Sequence, residues 1–394
     1  MRLDGNALLS AVRYELEKLR CSACGQIFTV SVPAAAGTEK YTARARAVLA
    51  LARYYLGIPW HRVEGFQALV GVPVPDATQW EQGELVGDCT YPVFRCLERL
   101  AAQGEVIYQD DTLGRVLTLI EENQIARAQA RAQGKAKPDV RTGMQTTALI
   151  VQVGDRRICL YYTGRRHAGE NLAALLTKRE PGRGKPLVMS DALSSNNAEE
   201  TTLIRCHCLA HARRQFSDLA DDFPAESGVV VNALKLIYEH DDEVRAQRLS
   251  AQERLVYHQT YSEPVFTTLK SWLEQQTAGR LVEPNSSLGK AITYLLEHWR
   301  TLTQCIKEPG APLDNNVAER ALKLCIRQRK NSLFYATEHS AYIASILTSV
   351  IATCAQASVN ALDYLVAVQE HRHAVFANPR AWLPWNYEAA LGPS

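Results

Sequence analysis

Two short strand-like segments that run directly into acidic residues limit the folds open to this chain more than any other feature. Residues 105–109 are followed by Asp110 and Asp111, and residues 187–190 are followed by Asp191. Side chains at the ends of strands line the crevice of an α/β sheet, so we expect the acids to lie near one another. Asp191 alone would also fit a helix N-cap. That interpretation is weaker because Asp110 likewise follows a strand.

The chain between these acids predicts the rest of a mixed α/β sheet. Residues 146–153 and 157–162 are strand-like and are joined at Gly154 and Asp155, which is typical of a β-hairpin. Residues 169–176 have helical periodicity and precede the last strand.

Two segments before the hairpin have weaker patterns. Residues 115–120 are apolar and predict another strand. Residues 121–140 are rich in Arg, Lys, Gln and Ala without an apolar face, so we expect an exposed excursion.

A third acid stands at the start of a predicted helix late in the chain. Pro312 ends the preceding segment, and side-chain acceptors for a helix start follow at Asp314, Asn315 and Asn316. Glu319 lies near the first turn, and cations follow on its face at Lys323, Arg327 and Lys330. A carboxylate heading a row of cations suits a hard metal ion beside a polyanion. The alternative is an amphipathic helix with an ordinary i,i+4 contact between Glu319 and Lys323.

Composition sets broad bounds on the protein. The 394 residues predict two or three structural units, and 46% hydrophobic with 22% charged residues is ordinary for a chain with a buried core. We find neither a membrane-length apolar run nor a signal-peptide pattern and expect a cytoplasmic protein. The ten cysteines are expected to be reduced thiols. The net charge is only +2, so a nucleic-acid partner would need local basic patches.

Two cysteine-containing segments raise the question of zinc. Cys21 and Cys24 form one Cys-x-x-Cys pair, which is half of a structural zinc set. The pair could be a vestige, a redox pair or half of a ribbon completed upstream, and bound zinc is not expected. Cys206, His207, Cys208 and His211 resemble a zinc set, but neighbouring ligands in one helical turn point in different directions. We expect His211, with Arg213 and Arg214, to lie at the end of a basic helix.

Helices dominate the remaining segments. Helical periodicity covers residues 42–56 and 60–70, and after a turn Asp76 caps a third helix that is expected to end at Leu85. This succession predicts either a DNA-binding helix-turn-helix or a simple helical hairpin. Residues 218–307 predict an all-helical insertion, and residues 342–368 predict a helical tail before an aromatic terminal hook.

Seven short motifs, spread in order over essentially the whole chain, resemble those of bacterial transposases of insertion-sequence family sixty-six. They occupy residues 109–112, 163–171, 189–193, 208–214, 283–290, 310–316 and 329–335. The resemblance implies a ribonuclease-H-like core of the Asp/Asp/Glu type, with Asp110, Asp191 and Glu319 as catalytic metal ligands. It also implies a structural Cys-x-x-His motif at Cys208 and His211. Because Asp110 and Asp111 alternate on a strand, only one can be a ligand, and the resemblance favours Asp110.

The resemblance also implies a division of the chain and a set of partners. We expect a partial zinc-ribbon-like segment, a helix-turn-helix-like region, a split catalytic core, a helical insertion and a tail, at residues 1–40, 41–100, 101–217 with 308–370, 218–307 and 371–394. Family members usually carry a longer N-terminal region with a complete zinc motif, so this chain is expected to start inside that region. Expected partners are terminal-repeat and target DNA, a second copy of the chain and accessory proteins, without a membrane.

The expected chemistry is phosphodiester cleavage at element ends followed by strand transfer. Three carboxylates can hold two divalent ions, with Mg²⁺ expected and Mn²⁺ as the alternative. Phosphates of DNA would be neutralised by cations of the two basic segments, namely Lys323, Arg327, Arg329, Lys330, Arg213 and Arg214. Two alternatives remain open: a nuclease with the same core that cuts without joining, and a non-catalytic DNA-binding remnant.

Overall fold

The computed structural model describes residues 7–192 and 202–392. Contacts divide the chain into two compact units, each assembled from separate stretches. Unit 1 comprises Met1–Phe94, Arg327–Leu333 and Ile346–Ser394, and unit 2 comprises Arg95–Ile326 and Phe334–Ser345. Among the described residues, none of the helices has the length and apolarity needed to cross a bilayer.

The protein is a mixed α/β chain with more helix than strand. In the described residues the strands are β1 (Lys18–Arg20), β2 (Ile27–Thr29), β3 (Val106–Leu113), β4 (Gln145–Val153), β5 (Arg156–Gly164), β6 (Leu187–Ser190) and β7 (Ile204–His207). The helices are α1 (Ala43–Tyr54), α2 (Trp60–Leu69), α3 (Asp76–Ala101), α4 (Leu117–Ala132), α5 (Ala168–Leu176), α6 (Leu209–Ser217), α7 (Pro224–Ala246), α8 (Ala251–Tyr257), α9 (Glu263–Ala278), α10 (Ser287–Glu297), α11 (Trp299–Leu302), α12 (Asn316–Ser332), α13 (Glu338–Gln356), α14 (Ala361–Glu370), α15 (Arg372–Ala377) and α16 (Tyr387–Leu391).

Unit 2 is built around a five-stranded mixed sheet in the order β5-β4-β3-β6-β7. Strands β3, β4 and β5 pair antiparallel, whereas β6 lies parallel to both β3 and β7. The expected β4–β5 hairpin is confirmed, and Gly154 takes the first position of its two-residue turn with φ of 58°. Glycine suits that position because the left-handed region carries no steric penalty without a Cβ.

The alternation of side chains along β3 gives the sheet two distinct faces. Tyr108 and Asp110 point to one face, which is packed against α12: the Tyr161 hydroxyl donates to the Ala321 carbonyl at 3.1 Å. Gln109 and Asp111 point to the other face, where α5 lies against β3 and β4. The two neighbouring acids are therefore separated by the sheet.

The strand expected over residues 115–120 is wrong. Only Val116 forms a bridge, a parallel one to Tyr335, and α4 begins at the next residue. Short apolar runs do not separate strand from helix by periodicity alone. Here the following Ala-, Gln- and Glu-rich residues favour helix, and Leu119 packs among Val116 and Ala341. The excursion expected at residues 121–140 is therefore helical up to Ala132.

Two other elements differ from expectation because tertiary contacts extend or replace the local pattern. Residues 204–207 form β7, expected as part of a helix, because they pair in parallel with β6. Helix α3 continues through Pro92 to Ala101, far beyond its predicted end. The helical tail divides into α13 and α14 at residues 357–360.

Residues 218–307, expected as an all-helical insertion, contain α7 to α11 in unit 2, and the division of the chain at these bounds stays a prediction. The buried apolar side chains of these helices form one cluster that also includes Leu209, Phe216 and Leu313 at the ends of the flanking segments. The insertion is thus packed onto α6 and onto the chain that leads into α12.

Unit 1 contains α1, α2 and the first part of α3. Leu49, Ala52, Val63 and Val74 belong to one small apolar cluster of this unit, and the buried Gln67 side chain forms hydrogen bonds with the backbone of Leu9. Helices α2 and α3 flank the turn at residues 70–75, as expected. A DNA-binding role for this pair stays a prediction.

Candidate active site

Asp110 and Asp191 lie on the same face of the sheet in unit 2. In the parallel pair β3 and β6, Tyr108 lies opposite Met189. Asp110 follows Tyr108 by two residues, and Asp191 follows Met189 by two residues. Each acid therefore points to the same face of the sheet as the paired residue before it. Adjacent strands are about 4.8 Å apart, so the two aspartates are neighbours at the carboxyl ends of the strands, and the charge of Asp191 acts on Asp110. Among the described residues, the carboxylates of Asp110, Asp191 and Glu319 do not form a group of three whose oxygens all lie within 4.8 Å of one another.

Glu319 reaches this point because the start of α12 is anchored to β3. Asn315, which is fully buried, donates through its Nδ2 to the Gln109 carbonyl at 2.9 Å, one residue before Asp110. Its backbone amide lies 3.2 Å from the Sγ of Cys208. Glu319 follows one helical turn after Asn315 and its amide donates to the Asn315 carbonyl at 3.2 Å. From the sequence, Asn315 was expected only as a helix cap. Its burial and its hydrogen bond to β3 were not predicted.

The electrostatics of Asp110 show that the three acids interact. Burial raises the pKa of Asp110 to about 7, an increase opposed by the Asp111 amide. The negative charges of Asp191 and Glu319 raise the pKa of Asp110 further. The carboxylates of Asp191 and Glu319 thus act on Asp110 through their charge, and a cation bound beside Asp110 would favour its ionised form.

Asp111 has a structural role on the opposite face. Its carboxylate accepts hydrogen bonds from the Thr147 hydroxyl at 2.6 Å and from the Ala168 amide at 2.8 Å. The second bond satisfies a free amide at the start of α5, and the side chain is only 13% exposed. These contacts support Asp110, and not Asp111, as the partner of Asp191 and Glu319. We call Asp110, Asp191 and Glu319 the acid group.

We expect Asp110→Asn to stabilise the protein at alkaline pH in the absence of divalent metal. The folded protein binds this proton more tightly than the unfolded chain, whose value is near 3.8. The resulting stability is complete below pH 3.8 and is lost as pH rises through 7, a change of at most about 4 kcal/mol. Melting curves in EDTA should therefore show the variant above the wild type at pH 8.5, by a smaller margin at pH 5 and close to it at pH 3.8. Added Mg²⁺ should narrow the gap.

Asp111→Asn is the matched comparison and should have the opposite sign. It weakens two hydrogen bonds to a charged, buried acceptor, so we expect a loss of about 1–3 kcal/mol at both pH values. Equal effects of the two substitutions would contradict the assignment of the two residues to different faces.

Cys208 and His211 also lie at the acid group. Ligand atoms of Cys208, His211 and Glu319 all lie within 4.8 Å of one another, and among residues 7–192 and 202–392 this is the group of three with metal-ligand spacing. The Nε2 of His211 is 3.6 Å from the Oε1 of Glu319, and each side chain is about a third exposed. Burial raises the pKa of the Cys208 thiol to about 11, so the thiol is neutral at pH 7.

The contact between His211 and Glu319 was not predicted, because His211 was expected to lie at the end of a basic helix. It lies instead in the first turn of α6, whose N-cap is Cys208. Cys206 and His207 are on β7 and point to opposite faces, so the four residues that resemble a zinc set do not converge. The Cys-x-x-His spacing was the sequence signal that Cys208 and His211 lie together at one helix start. It did not indicate that Glu319 lies beside them.

The cations expected to bind DNA lie in both units. Lys323, Arg213 and Arg214 are exposed in unit 2, whereas Arg327, Arg329 and Lys330 belong to unit 1. Arg327 donates to the carbonyl of Tyr55 and lies over its ring, 5.6 Å from the centroid. Contact of these cations with DNA stays a prediction.

Cys21 and Cys24 lie in the turn between β1 and β2 in unit 1. The Gly25 amide donates to the Cys21 carbonyl at 2.9 Å, and hydrogen bonds from the amides of Cys24 and Ala23 lower the pKa of the Cys21 thiol. Lowered thiol pKa favours metal binding. Within the described part of the chain no third ligand joins the pair.

Comparisons with known proteins give one family match and three similar proteins. A sequence profile described as "Transposase IS66 family" matches residues 39–343. Three Sinorhizobium fredii proteins are similar to this chain. "Uncharacterized protein y4hP" is 30% identical over 50% of this chain and 38% of its own length. "Uncharacterized protein y4jD" is 31% identical over 46% of this chain and 36% of its own length. "Uncharacterized protein y4qI" is 24% identical over 88% of this chain and 63% of its own length. This chain therefore spans less than two thirds of each of these relatives. No solved structure matches it.

Proposed function

Because the chain belongs to the transposase IS66 family, we propose that it is an Asp/Asp/Glu transposase. It cleaves phosphodiester bonds at the ends of an insertion element and transfers the freed 3′-hydroxyl into target DNA. The family implies DNA binding and a divalent metal requirement in general. The core is ribonuclease-H-like in this proposal.

One observation supports the proposal most strongly: three acids from distant parts of the chain influence one another at the carboxyl end of two parallel strands. Asp110 and Asp191 share a sheet face, and Glu319 is held above it by the anchored start of α12. The charges of Asp191 and Glu319 both raise the pKa of Asp110, which supports a bound cation as the partner of the three acids.

The donor set fits magnesium. Asp110, Asp191 and Glu319 offer hard carboxylate oxygens, the ligands that Mg²⁺ prefers, and a proposed pair of ions would be held by them. When bound, such ions activate an attacking water or hydroxyl group and stabilise the charge on the leaving oxygen. The raised pKa of Asp110 means that its carboxylate must lose a proton before it can act as a ligand near pH 7.

Other residues of the chain orient the acids and the substrate. His211, 3.6 Å from Glu319, restricts the orientation of that carboxylate. Lys323 follows Glu319 by one helical turn and is exposed, so it can neutralise a DNA phosphate beside the acids. Binding through such contacts should weaken steeply as salt is added.

The test is incubation of the purified protein with a labelled DNA fragment that carries the ends of its element, together with a plasmid target. Reactions with Mg²⁺, with Mn²⁺ and with EDTA are compared by denaturing electrophoresis. The expected result is cleavage at the element ends and covalent joining to the plasmid, both abolished by EDTA.

The alternatives predict different products. Cleavage without joined product in any metal would identify a nuclease with the same acids. DNA binding without cleavage in either metal would identify a non-catalytic remnant. Either result would contradict the proposed transposition activity.

A further inference from the structure

A second, strongly basic pocket lies in unit 2 beside the start of α12. Its volume is about 280 Å³. Four arginines, one tyrosine and one acid supply most of its polar wall, namely Arg157, Arg245, Arg254, Arg320, Tyr108 and Asp314. The three residues of the proposed catalytic group are not among its lining residues. We call this site the arginine pocket.

The arginines come from three separate parts of unit 2. Arg157 lies on β5 opposite Gln152 of β4, which lies opposite Val106 of β3, so Arg157 shares the sheet face of Tyr108. Arg245 and Arg254 belong to the helical insertion, and Arg320 lies on α12. The fold therefore brings together four cations that have no common sequence motif.

The charges of this pocket are only partly balanced. Arg245 and Arg254 share the buried carboxylate of Asp241, with 2.7 Å between Arg254 Nη2 and Asp241 Oδ1. Arg157 and Arg320 make no ion pair within residues 7–192 and 202–392. The two carboxylates near these four arginines are those of Asp241 and Asp314, so the pocket has an excess of positive charge.

Two further observations indicate that an anion is needed. The Nε atoms of Arg157 and Arg254 are buried and have no hydrogen-bond partner among the described residues. An unsatisfied buried donor costs free energy, which a bound acceptor would recover. Asp314 does not supply that acceptor, since its carboxylate accepts from the amide of Asn316 at 3.1 Å and from its Nδ2 at 2.8 Å.

Burial raises the pKa of Tyr108, while the charges of Arg157, Arg254 and Arg245 lower it. Three guanidinium groups thus act on one hydroxyl group in the pocket wall. Planar guanidinium groups match the oxygens of a phosphate through paired hydrogen bonds, and several arginines around one cavity suit a tetrahedral oxyanion better than a carboxylate.

We propose that the arginine pocket binds a phosphate group through Arg157, Arg320 and the exposed edges of Arg245 and Arg254. The phosphate belongs either to a DNA strand or to a free phosphate ion. Anion binding itself does not depend on the proposed transposase activity, and only the DNA source rests on it.

The position of the pocket suits a DNA strand that continues past the acids. Tyr108 precedes Asp110 by two residues on the same face, a distance of about 7 Å along β3. Arg320 follows Glu319 directly and projects about 100° around α12 from it.

The first experiment measures free-anion binding by calorimetry, with inorganic phosphate and pyrophosphate as probes and EDTA present. Wild-type protein should bind pyrophosphate saturably, and Arg157→Gln and Arg320→Gln should each weaken binding by about tenfold or more. Arg156→Gln is the matched control, because it removes the same charge one residue away on the opposite sheet face. Arg320 is exposed, so its substitution should leave folding intact, which melting curves verify for all three variants.

The second experiment measures the salt dependence of duplex DNA binding, again in EDTA. If the pocket holds a DNA phosphate, the slope of log K against log salt should fall by about 1 in Arg157→Gln and Arg320→Gln but not in Arg156→Gln. Loss of pyrophosphate binding with an unchanged DNA slope would identify the free anion as the ligand. Absence of wild-type pyrophosphate binding together with unchanged DNA slopes would overturn the proposal. Both experiments measure binding without metal. Their results can therefore be interpreted even if the protein does not cleave DNA.

Discussion

Replacing Glu319 by glutamine is expected to lower the rate of Mg²⁺-dependent DNA cleavage on the order of 10³-fold, with DNA affinity nearly unchanged. Glutamine keeps the shape of the side chain but removes the negative charge that would hold a cation. The start of α12 is anchored through Asn315 and not through Glu319, so the helix should stay in place. Single-turnover cleavage and fluorescence anisotropy on the same DNA give the two quantities.

Glu338→Gln is the control for this substitution. Glu338 is an exposed acid in the first turn of α13 in unit 2, so its replacement makes the same change of charge away from the acid group. We expect near wild-type cleavage. If Glu319→Gln also cleaved at the wild-type rate, Glu319 would not belong to the catalytic group. If DNA binding were lost together with cleavage, the residue would act in binding or folding.

Asp241→Asn is expected to destabilise the helical insertion by about 3–5 kcal/mol. Asp241 lies on α7 with 0% of its side chain exposed. Its carboxylate lies 2.7 Å from Arg254 Nη2 and 3.2 Å from His258 Nε2, and it also pairs with Arg245. Removing the negative charge leaves Arg254, whose side chain is only 21% exposed, without its counterion, which costs more than the pair contributes. Urea unfolding followed by circular dichroism measures the loss.

The difference in the free energy of unfolding between Asp241→Asn and the wild type should depend on pH. Burial raises the pKa of Asp241, but the hydrogen bond with His258 and the charges of Arg254 and Arg245 outweigh it and lower the pKa below 3.8. Stability from this group is therefore complete above pH 3.8 and is lost as pH falls through the lower folded value. The gap between the variant and the wild type should narrow in acid.

Asp242→Asn provides the neighbouring control. Asp242 is 72% exposed and only approaches Arg245 at 3.4 Å, so its replacement should cost less than about 0.5 kcal/mol. If both substitutions had equally small effects, the buried ion cluster would not stabilise the insertion. A large effect of Asp241→Asn would show that the ion pairs of this carboxylate with Arg245 and Arg254 stabilise the insertion.

The local sequence was sufficient for the elements that carry the acids. Short apolar runs that lead into acids at residues 105–109 and 187–190 predicted β3 and β6, and the caps after Pro312 predicted α12. Each of these signals is local, since hydrophobic periodicity and capping depend on neighbours within a few residues. The segment after Asp111 was mispredicted for the same reason: contacts of Leu119 with Ala341, distant in the chain, favour a helix there.

The sequence by itself determined that an acid follows each of two strands, that Asp110 and Asp111 point to opposite faces, and that Glu319 lies near the start of a helix. Only the tertiary structure decided which aspartate shares a face with Asp191, because that depends on strand register and on which face α12 covers. It also decided that His211 contacts Glu319 and that four arginines line one pocket. Such groupings join residues far apart along the chain, and no local pattern of residue types determines them.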